Sequence, residues 1–151
     1  MLYIDLKKVL EDFGDALGIE LAFDEKGACV LTMDDETPVA IRANVEDSSL
    51  TLSSALRDAM PQTMSLDQIQ NLLALALDLY DRGAASPVVG CDEESGLVVI
   101  YEVLAPSALR RTPLSEAFTD FMTTRQAVTA LLDEQVEAPI AFADAITRLW
   151  V

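Results

Sequence analysis

The sequence predicts an α+β fold in which an antiparallel sheet packs with helices. Three features support this prediction: a helical apolar stripe opens the chain, short apolar runs separated by acidic turns follow it, and two longer helical stretches flank a second pair of apolar runs. With 151 residues, 51% of them hydrophobic and 24% charged, the chain can bury one core. We therefore expect one domain over residues 1–136 and a tail over 137–151 that forms a short amphipathic helix.

The first part of the chain predicts one helix and a meander of three or four strands. Gly18 ends the helix, whose apolar stripe consists of Leu6, Val9, Leu10, Phe13 and Leu17. The strands are the apolar runs at 20–23, 28–33, 38–45 and 50–53. Because the turns between these runs are short and acidic, neighbouring strands should be antiparallel.

The middle of the chain predicts a connector, a helix and two further strands. The connector spans 57–64, and Ser65 with Gln68 then has the spacing of a capping box. The helix that starts there should end near Arg82, where Gly83 follows. Two apolar strands come next, at 87–91 and 97–104, on either side of an acidic turn.

A third and longest helix should close the domain, which gives the order α-β-β-β(-β)-α-β-β-α. Thr112 and Pro113 have the types preferred at a helix start, and the apolar stripe continues to about Val136. Arg125 interrupts this stripe. We interpret it as a side chain that reaches the rim of the core or pairs with a carboxylate, the alternative being a contact with an acidic group on a partner.

The charge of the chain excludes several kinds of partner. Its 26 acidic and 10 basic residues give a formal charge of -16, which repels the phosphate groups of nucleic acids. No apolar run reaches the roughly 18 residues that a membrane span requires, and no basic start leads into a signal segment. We expect a cytoplasmic protein without membrane insertion.

Residue usage gives little support to catalysis, and we expect no catalytic residue, metal site or cofactor. The chain has no histidine, which excludes Ser-His and Cys-His pairs and removes the most common metal ligand. Cys29 and Cys91 lack metal-site spacing and are interpreted as small core residues. The alternative is a small carboxylate-dependent enzyme that uses the acidic clusters at 34–36 or 92–94, although acidic residues in turns are usually solvated.

The second helix carries more apolar surface than one sheet can cover. Its apolar arc is about 200° wide, roughly twice a usual core stripe. Leu72, Leu75 and Leu79 form a sector beside the main stripe, and exposing a leucine forgoes roughly 1.5–3 kcal/mol. A second copy of the chain would cover this sector, so we predict a homodimer; the alternative cover is the C-terminal tail.

Three stretches of the sequence resemble one known family. They are LGIELAFDEKGACVLTM, NLLALALDLYDRGAASPVVGCDEESGLVVIYEVL and PLSEAFTDFMTTRQAVTALL, and they are similar to the class I type III secretion chaperones, the Tir chaperone family. The resemblance covers roughly Leu2 to Asp133. Its most specific part is the small link at 83–86 followed by an apolar strand, the D-x-x-x-G turn from Asp92 to Gly96 and a second apolar strand. The AASP link and the tail after Val136 depart from the family pattern.

The resemblance implies an acidic, cytoplasmic homodimer that holds an unfolded protein segment. Family members bind the N-terminal, non-globular segment of a secreted effector or translocator without ATP, in part by adding a strand to a sheet edge. The implied dimer interface comprises Leu72, Leu75, Leu79, Val98 and Ile100. The implied effector contacts are Phe13, Leu21, Phe23, Leu31, Met33 and Ile41, each of which is equally explicable as core. The alternative function is a regulatory protein of the same fold that sequesters another chaperone or a transcription regulator.

Overall fold

The fold is α+β, as the sequence predicts, in a computed structural model that describes residues 4–32, 38–56, 64–81, 87–92 and 95–133. Four helices and five strands lie within these residues. In chain order the elements are α1 (Leu6–Leu17), β1 (Ala28–Thr32), β2 (Pro38–Asn44), β3 (Ser49–Ala55), α2 (Leu66–Asp81), β4 (Val88–Cys91), β5 (Val98–Leu104), α3 (Pro106–Arg111) and α4 (Leu114–Asp133).

The described strands form one antiparallel sheet in the order β1-β2-β3-β5-β4. Cys29 lies opposite Ile41 and Ile41 opposite Leu52, so three apolar side chains line one face. A backbone hydrogen bond of 2.9 Å runs from the N–H of Leu56, directly after β3, to the carbonyl oxygen of Val98 in β5. Strands β3 and β5 are neighbours in the sheet. Short strand β1 and short strand β4 are its two edges.

Local capping explains where α1 begins and ends. The carboxylate of Asp5 accepts the backbone N–H of Lys8 at 3.2 Å, which satisfies one of the free donors of the first turn. Gly18 has φ 73°, and the N–H groups of Gly18 and Ile19 donate to the carbonyls of Asp15 and Gly14. This pair of bonds is a Schellman motif. The predicted helix end at Gly18 is confirmed.

The predicted capping box at the start of α2 is also confirmed. The hydroxyl of Ser65 accepts the backbone N–H of Gln68 at 3.2 Å, and the Gln68 side-chain oxygen accepts the N–H of Ser65 at 2.9 Å. Two donors of the first turn are thus satisfied reciprocally.

The strand predicted at 20–23 is wrong. The turn after it closes at once, because the N–H of Asp24 donates to the carbonyl of Ala28 at 2.8 Å and the Asp24 carboxylate accepts two further backbone N–H groups. Turn bonds therefore stand where a ladder was expected, and residues 20–23 form neither a strand nor a helix.

The region before the last helix contains a short helix, α3, that the sequence analysis missed. Pro106 at its start has the fixed φ that suits a first turn, a signal of the same kind as the one recognised at Pro113. Thr112 donates its N–H to the carbonyl of Ala108 and ends α3, so it is not the start of the next helix. Helix α4 begins one residue later than predicted, at Leu114. The predicted end near Val136 and the predicted tail helix lie outside the described residues.

The chain divides into two compact units, each with an apolar core. The first contains residues up to 54 and 101–123, and its buried side chains include Leu10, Phe13, Leu21, Leu31, Val39, Ile41, Leu50, Leu52, Phe118 and Phe121. The second contains residues 55–100 and those from 124 onwards, and its buried side chains include Leu56, Leu79, Val89, Val98, Ile100 and Val128. The expectation of one domain over 1–136 stays a prediction.

Candidate binding surfaces

Most of the side chains expected to contact an effector are buried by the chain itself. Ile41 is 0% exposed, and Phe13, Leu21 and Leu31 are also buried. The ring of Phe13 packs against Phe118 on α4 with the centroids 5.0 Å apart. Phe23 is half-buried, and Met33 lies outside the described residues. A contact of these six residues with a partner stays a prediction. The exposed apolar side chains in this part of the chain, such as Val30 and Ile19, are their neighbours in the sequence.

The opposite face of the first three strands is partly exposed, and we call it the outer sheet face. Val30 is 61% exposed, and the pairing places it beside Ala40, which in turn lies beside Ser53. The face consists of Ala28, Val30, Thr32, Pro38, Ala40, Arg42, Thr51 and Ser53. Most of these side chains are small, so an extended segment could lie close to the backbone. Side chains alternate between the two faces of a strand, so the residues on either side of the inward-facing Ile41 lie on the outer sheet face. This alternation is the sequence signal that could have identified the face.

A concave surface, which we call the α1 groove, lies where α1 ends. It has a volume of about 350 Å³ and is lined by Glu11, Asp15, Gly18, Ile19, Glu20 and Leu21. Gly14 permits its shape, since a Cβ atom there would stand 2.7 Å from the carbonyl oxygen of Ile19. Leu17 and Ile19 expose apolar surface beside it. The groove thus combines apolar side chains with an acidic rim.

A smaller cleft separates α1 from the start of α4. Its volume is about 150 Å³, and its lining is mostly apolar: Val9, Asp12, Phe13, Leu109, Pro113, Leu114 and Ser115. This space suits one apolar side chain. An ion pair between Lys8 and Asp12, at 3.4 Å, lies at the rim and is largely exposed.

Helix α2 has exposed apolar side chains, but not all of those predicted: Leu79, one of the three leucines expected to need cover, is buried within the chain. Leu79 is the one fully buried side chain of the helix among those described, at 2% exposure. Leu73 is 65% exposed, and Leu72 and Leu75 are half-buried. The other residues expected at a dimer interface, Val98 and Ile100, are buried within the chain. Among the described side chains of α2, therefore, the large apolar ones that are exposed are Leu66, at 71%, and Leu73.

The acidic turns use their carboxylates to hold the backbone. The backbone N–H groups of Ala28 and Lys26 donate to Asp24 and lower the pKa of its carboxyl group. Asp47 accepts the hydroxyl of Ser49 at 2.7 Å. Asp92 accepts the hydroxyl of Ser95 at 2.6 Å, and Gly96 completes that turn with φ 71°. The clusters at 34–36 and 93–94 lie outside the described residues, and the residues that the structure does describe contain no group of side chains able to hold a metal ion.

Two interpretations of single residues need correction. Arg125 does not reach the rim: it is 2% exposed and donates Nη2 to the carbonyl of Ala55 at 3.3 Å, one of its interactions in the core. Cys29 is buried as predicted, and burial raises the pKa of its thiol. Cys91 is exposed, because it ends the edge strand β4 where the chain enters the acidic turn.

No helix in the described ranges is long and apolar enough to cross a membrane.

The fold and its exposed apolar faces define a class of α+β proteins that present binding surfaces, and comparisons identify the family. The chain belongs to the Tir chaperone protein (CesT) family, whose sequence model matches residues 8–129. This match confirms the family resemblance that the three stretches quoted above indicated. No individual curated protein gives a significant match.

Solved structures of similar fold include chains of several protein complexes. A chain of the HopA1-SchA chaperone-effector complex is 26% identical with a TM-score of 0.65, covering 85% of this chain and 99% of that one. A chain of the ExsC-ExsE complex is 18% identical with a TM-score of 0.68, covering 87% and 96%. A chain of the Yersinia pestis complex between the type III secretion chaperone SycH and a YscM2 fragment is 17% identical with a TM-score of 0.63, covering 85% and 100%. At 18% and 17% identity, the likenesses to the ExsC-ExsE and SycH chains show a similar fold and nothing more.

Proposed function

We propose that this chain is a type III secretion chaperone. It binds the N-terminal, non-globular segment of a secreted effector or translocator in the cytoplasm of a Gram-negative bacterium. It keeps that segment soluble and competent for secretion without ATP and without catalysis. The family match over residues 8–129 carries the proposal, and the likeness to a chain of a chaperone-effector complex supports it.

The exposed apolar surfaces supply the physical basis for holding an unfolded segment. The outer sheet face around Val30 and the α1 groove around Ile19 belong to the same compact unit and can each take apolar side chains. Covering such side chains with a partner's removes apolar area from water at about 25 cal/mol per Å². Strand β1 lies at a sheet edge, where an extended segment can add by backbone hydrogen bonds. The charge of -16 keeps the loaded chaperone soluble.

The proposed chaperone acts as a homodimer whose interface includes α2. The exposed side chain of Leu73 and the half-buried side chains of Leu72 and Leu75 need cover that the described chain does not give. A two-fold dimer would place the same helix of each copy in the contact. Leu79, Val98 and Ile100, buried within each copy, would support this surface from behind.

Co-expression with N-terminal segments of effectors tests the proposal. The purified complex would be sized by light scattering and then treated with protease, and the surviving fragments would be identified by mass spectrometry. We expect a dimer of this chain to protect one continuous N-terminal segment. Protection of a transcription regulator or a second chaperone instead would favour the regulatory alternative. A measurable turnover lost on Asp92→Asn would favour the enzyme.

A further inference from the structure

Glu102 lies on the side of β5 that faces the core. Along the strand Ile100 and Leu104 alternate with it and are buried, whereas Tyr101 and Val103 point the other way and are exposed. Strand periodicity therefore aligns a carboxyl group with apolar core side chains. The residue is half-buried.

The described part of the chain offers this carboxyl group no compensating partner. No hydrogen bond or ion pair of its side chain is found there. The charged group that acts on it is Asp120 of α4, which has the same sign, and no basic side chain of another described element offsets this repulsion. Glu102 and Asp120 belong to the same compact unit, so the repulsion arises within one core.

Burial and the negative charge of Asp120 both destabilise the ionised form of Glu102, and burial has the larger effect. Together these raise the pKa of Glu102 from its ordinary value of 4.5 to about 7. In the folded chain the neutral acid is preferred among the apolar side chains, whereas in the unfolded chain the ionised form is free in water.

We propose that Glu102 is a proton-dependent switch that makes the compact unit containing residues 101–104 of β5 and the first half of α4 more stable in acid than at neutral pH. The folded chain binds this proton more tightly than the unfolded chain does. The stabilisation is complete below about pH 4.5 and is lost as the pH rises from there through about 7. The switch is independent of the proposed chaperone function, since it concerns the folding of the chain alone.

A nuclear magnetic resonance titration of the Glu102 side-chain carboxyl carbon measures the proton directly in the wild-type chain. We expect a midpoint near pH 7, with Asp120→Asn lowering it part of the way because burial remains. Glu116→Gln, on the same helix, should leave it unchanged. A wild-type midpoint close to 4.5 would overturn the proposal without any variant having to fold.

Urea unfolding at a series of pH values measures the consequence for stability. Between pH 5 and 8 the unfolding constant of the wild type should rise relative to that of Glu102→Gln on the order of 70-fold, the factor that a pKa of about 7 in the folded chain and 4.5 in the unfolded chain gives. Other acids affect both proteins alike and cancel in the ratio. A ratio that does not change with pH would overturn the proposal.

Discussion

Gly14 and Ile19 pack so closely that a Cβ atom added to Gly14 would lie 2.7 Å from the carbonyl oxygen of Ile19. The same added atom would lie 3.2 Å from the backbone nitrogen of Leu21. Both neighbours are backbone atoms, which cannot rotate away as a flexible side chain can. The missing side chain therefore permits the chain to fold back against α1 and form the α1 groove.

Gly14→Ala should consequently destabilise the chain. In an unobstructed helix this change stabilises by about 1 kcal/mol, but here the collision should cost more, for a net loss of about 1–3 kcal/mol. Urea unfolding measures it. Gly90→Ala is the matched control, since a Cβ atom there meets nothing within 4 Å. Equal stability of Gly14→Ala and the wild type would contradict the packing described.

Val30→Asp should weaken binding of an effector segment while leaving the fold intact. The side chain is exposed in the free chain, so the charge costs little there, but covering it with an apolar segment requires desolvation. We expect about a tenfold loss of affinity, equal to about 1.4 kcal/mol. Titration calorimetry with a purified N-terminal effector segment checks this.

The control for that change is Val45→Asp, at an exposed valine outside the outer sheet face. It should bind as the wild type does. If both variants bind equally well, the outer sheet face does not contact the segment.

Leu66→Asp together with Leu73→Asp, at two exposed leucines seven residues apart on one side of α2, should dissociate the proposed homodimer. Each change places a charge where α2 of one copy would contact the other, and a buried unpaired charge costs several kcal/mol. Light scattering should report a monomer, with the helical circular dichroism of the wild type retained.

Leu17→Asp, an exposed leucine on α1, is the control and should stay dimeric. A wild-type chain that is monomeric at micromolar concentration would contradict the dimer itself. A doubly substituted chain that remains dimeric would place the interface elsewhere.

Asp92→Ala should destabilise the chain by about 1 kcal/mol without changing its affinity for a partner, because the carboxylate holds the turn through Ser95. Asp92→Asn, which keeps an acceptor, should retain most of the stability. Thermal unfolding and the calorimetric titration check the two parts. A large loss of affinity with either variant would show that the turn contacts the partner.

The sequence predicted those elements whose local chemistry is self-contained. The reciprocal bonds of Ser65 and Gln68 and the positive φ of Gly18 depend on neighbours within a few residues, so spacing alone located them. The strand at 20–23 failed for a tertiary reason, since Asp24 turns the chain back before a ladder can form.

The candidate surfaces were harder to predict than the elements. Alternation shows that Val30 and Ile41 lie on opposite faces of the sheet, but it does not show which face the helices cover. Binding was predicted for the more apolar face, most of whose side chains lie in the core of the chain, and their contact with a partner stays a prediction. Glu102 was missed because its burial depends on both β5 and α4, which are separated by α3.

Hydrogen exchange of the chain, free and bound to an N-terminal effector segment, tests the central claim most directly. The account predicts slower exchange on binding in residues 14–21 and 28–32, which contain parts of the α1 groove and of the edge strand β1. Exchange in the acidic turn at Asp92 should be unaffected. Protection confined to α2 or to that turn, with none in β1, would contradict the account.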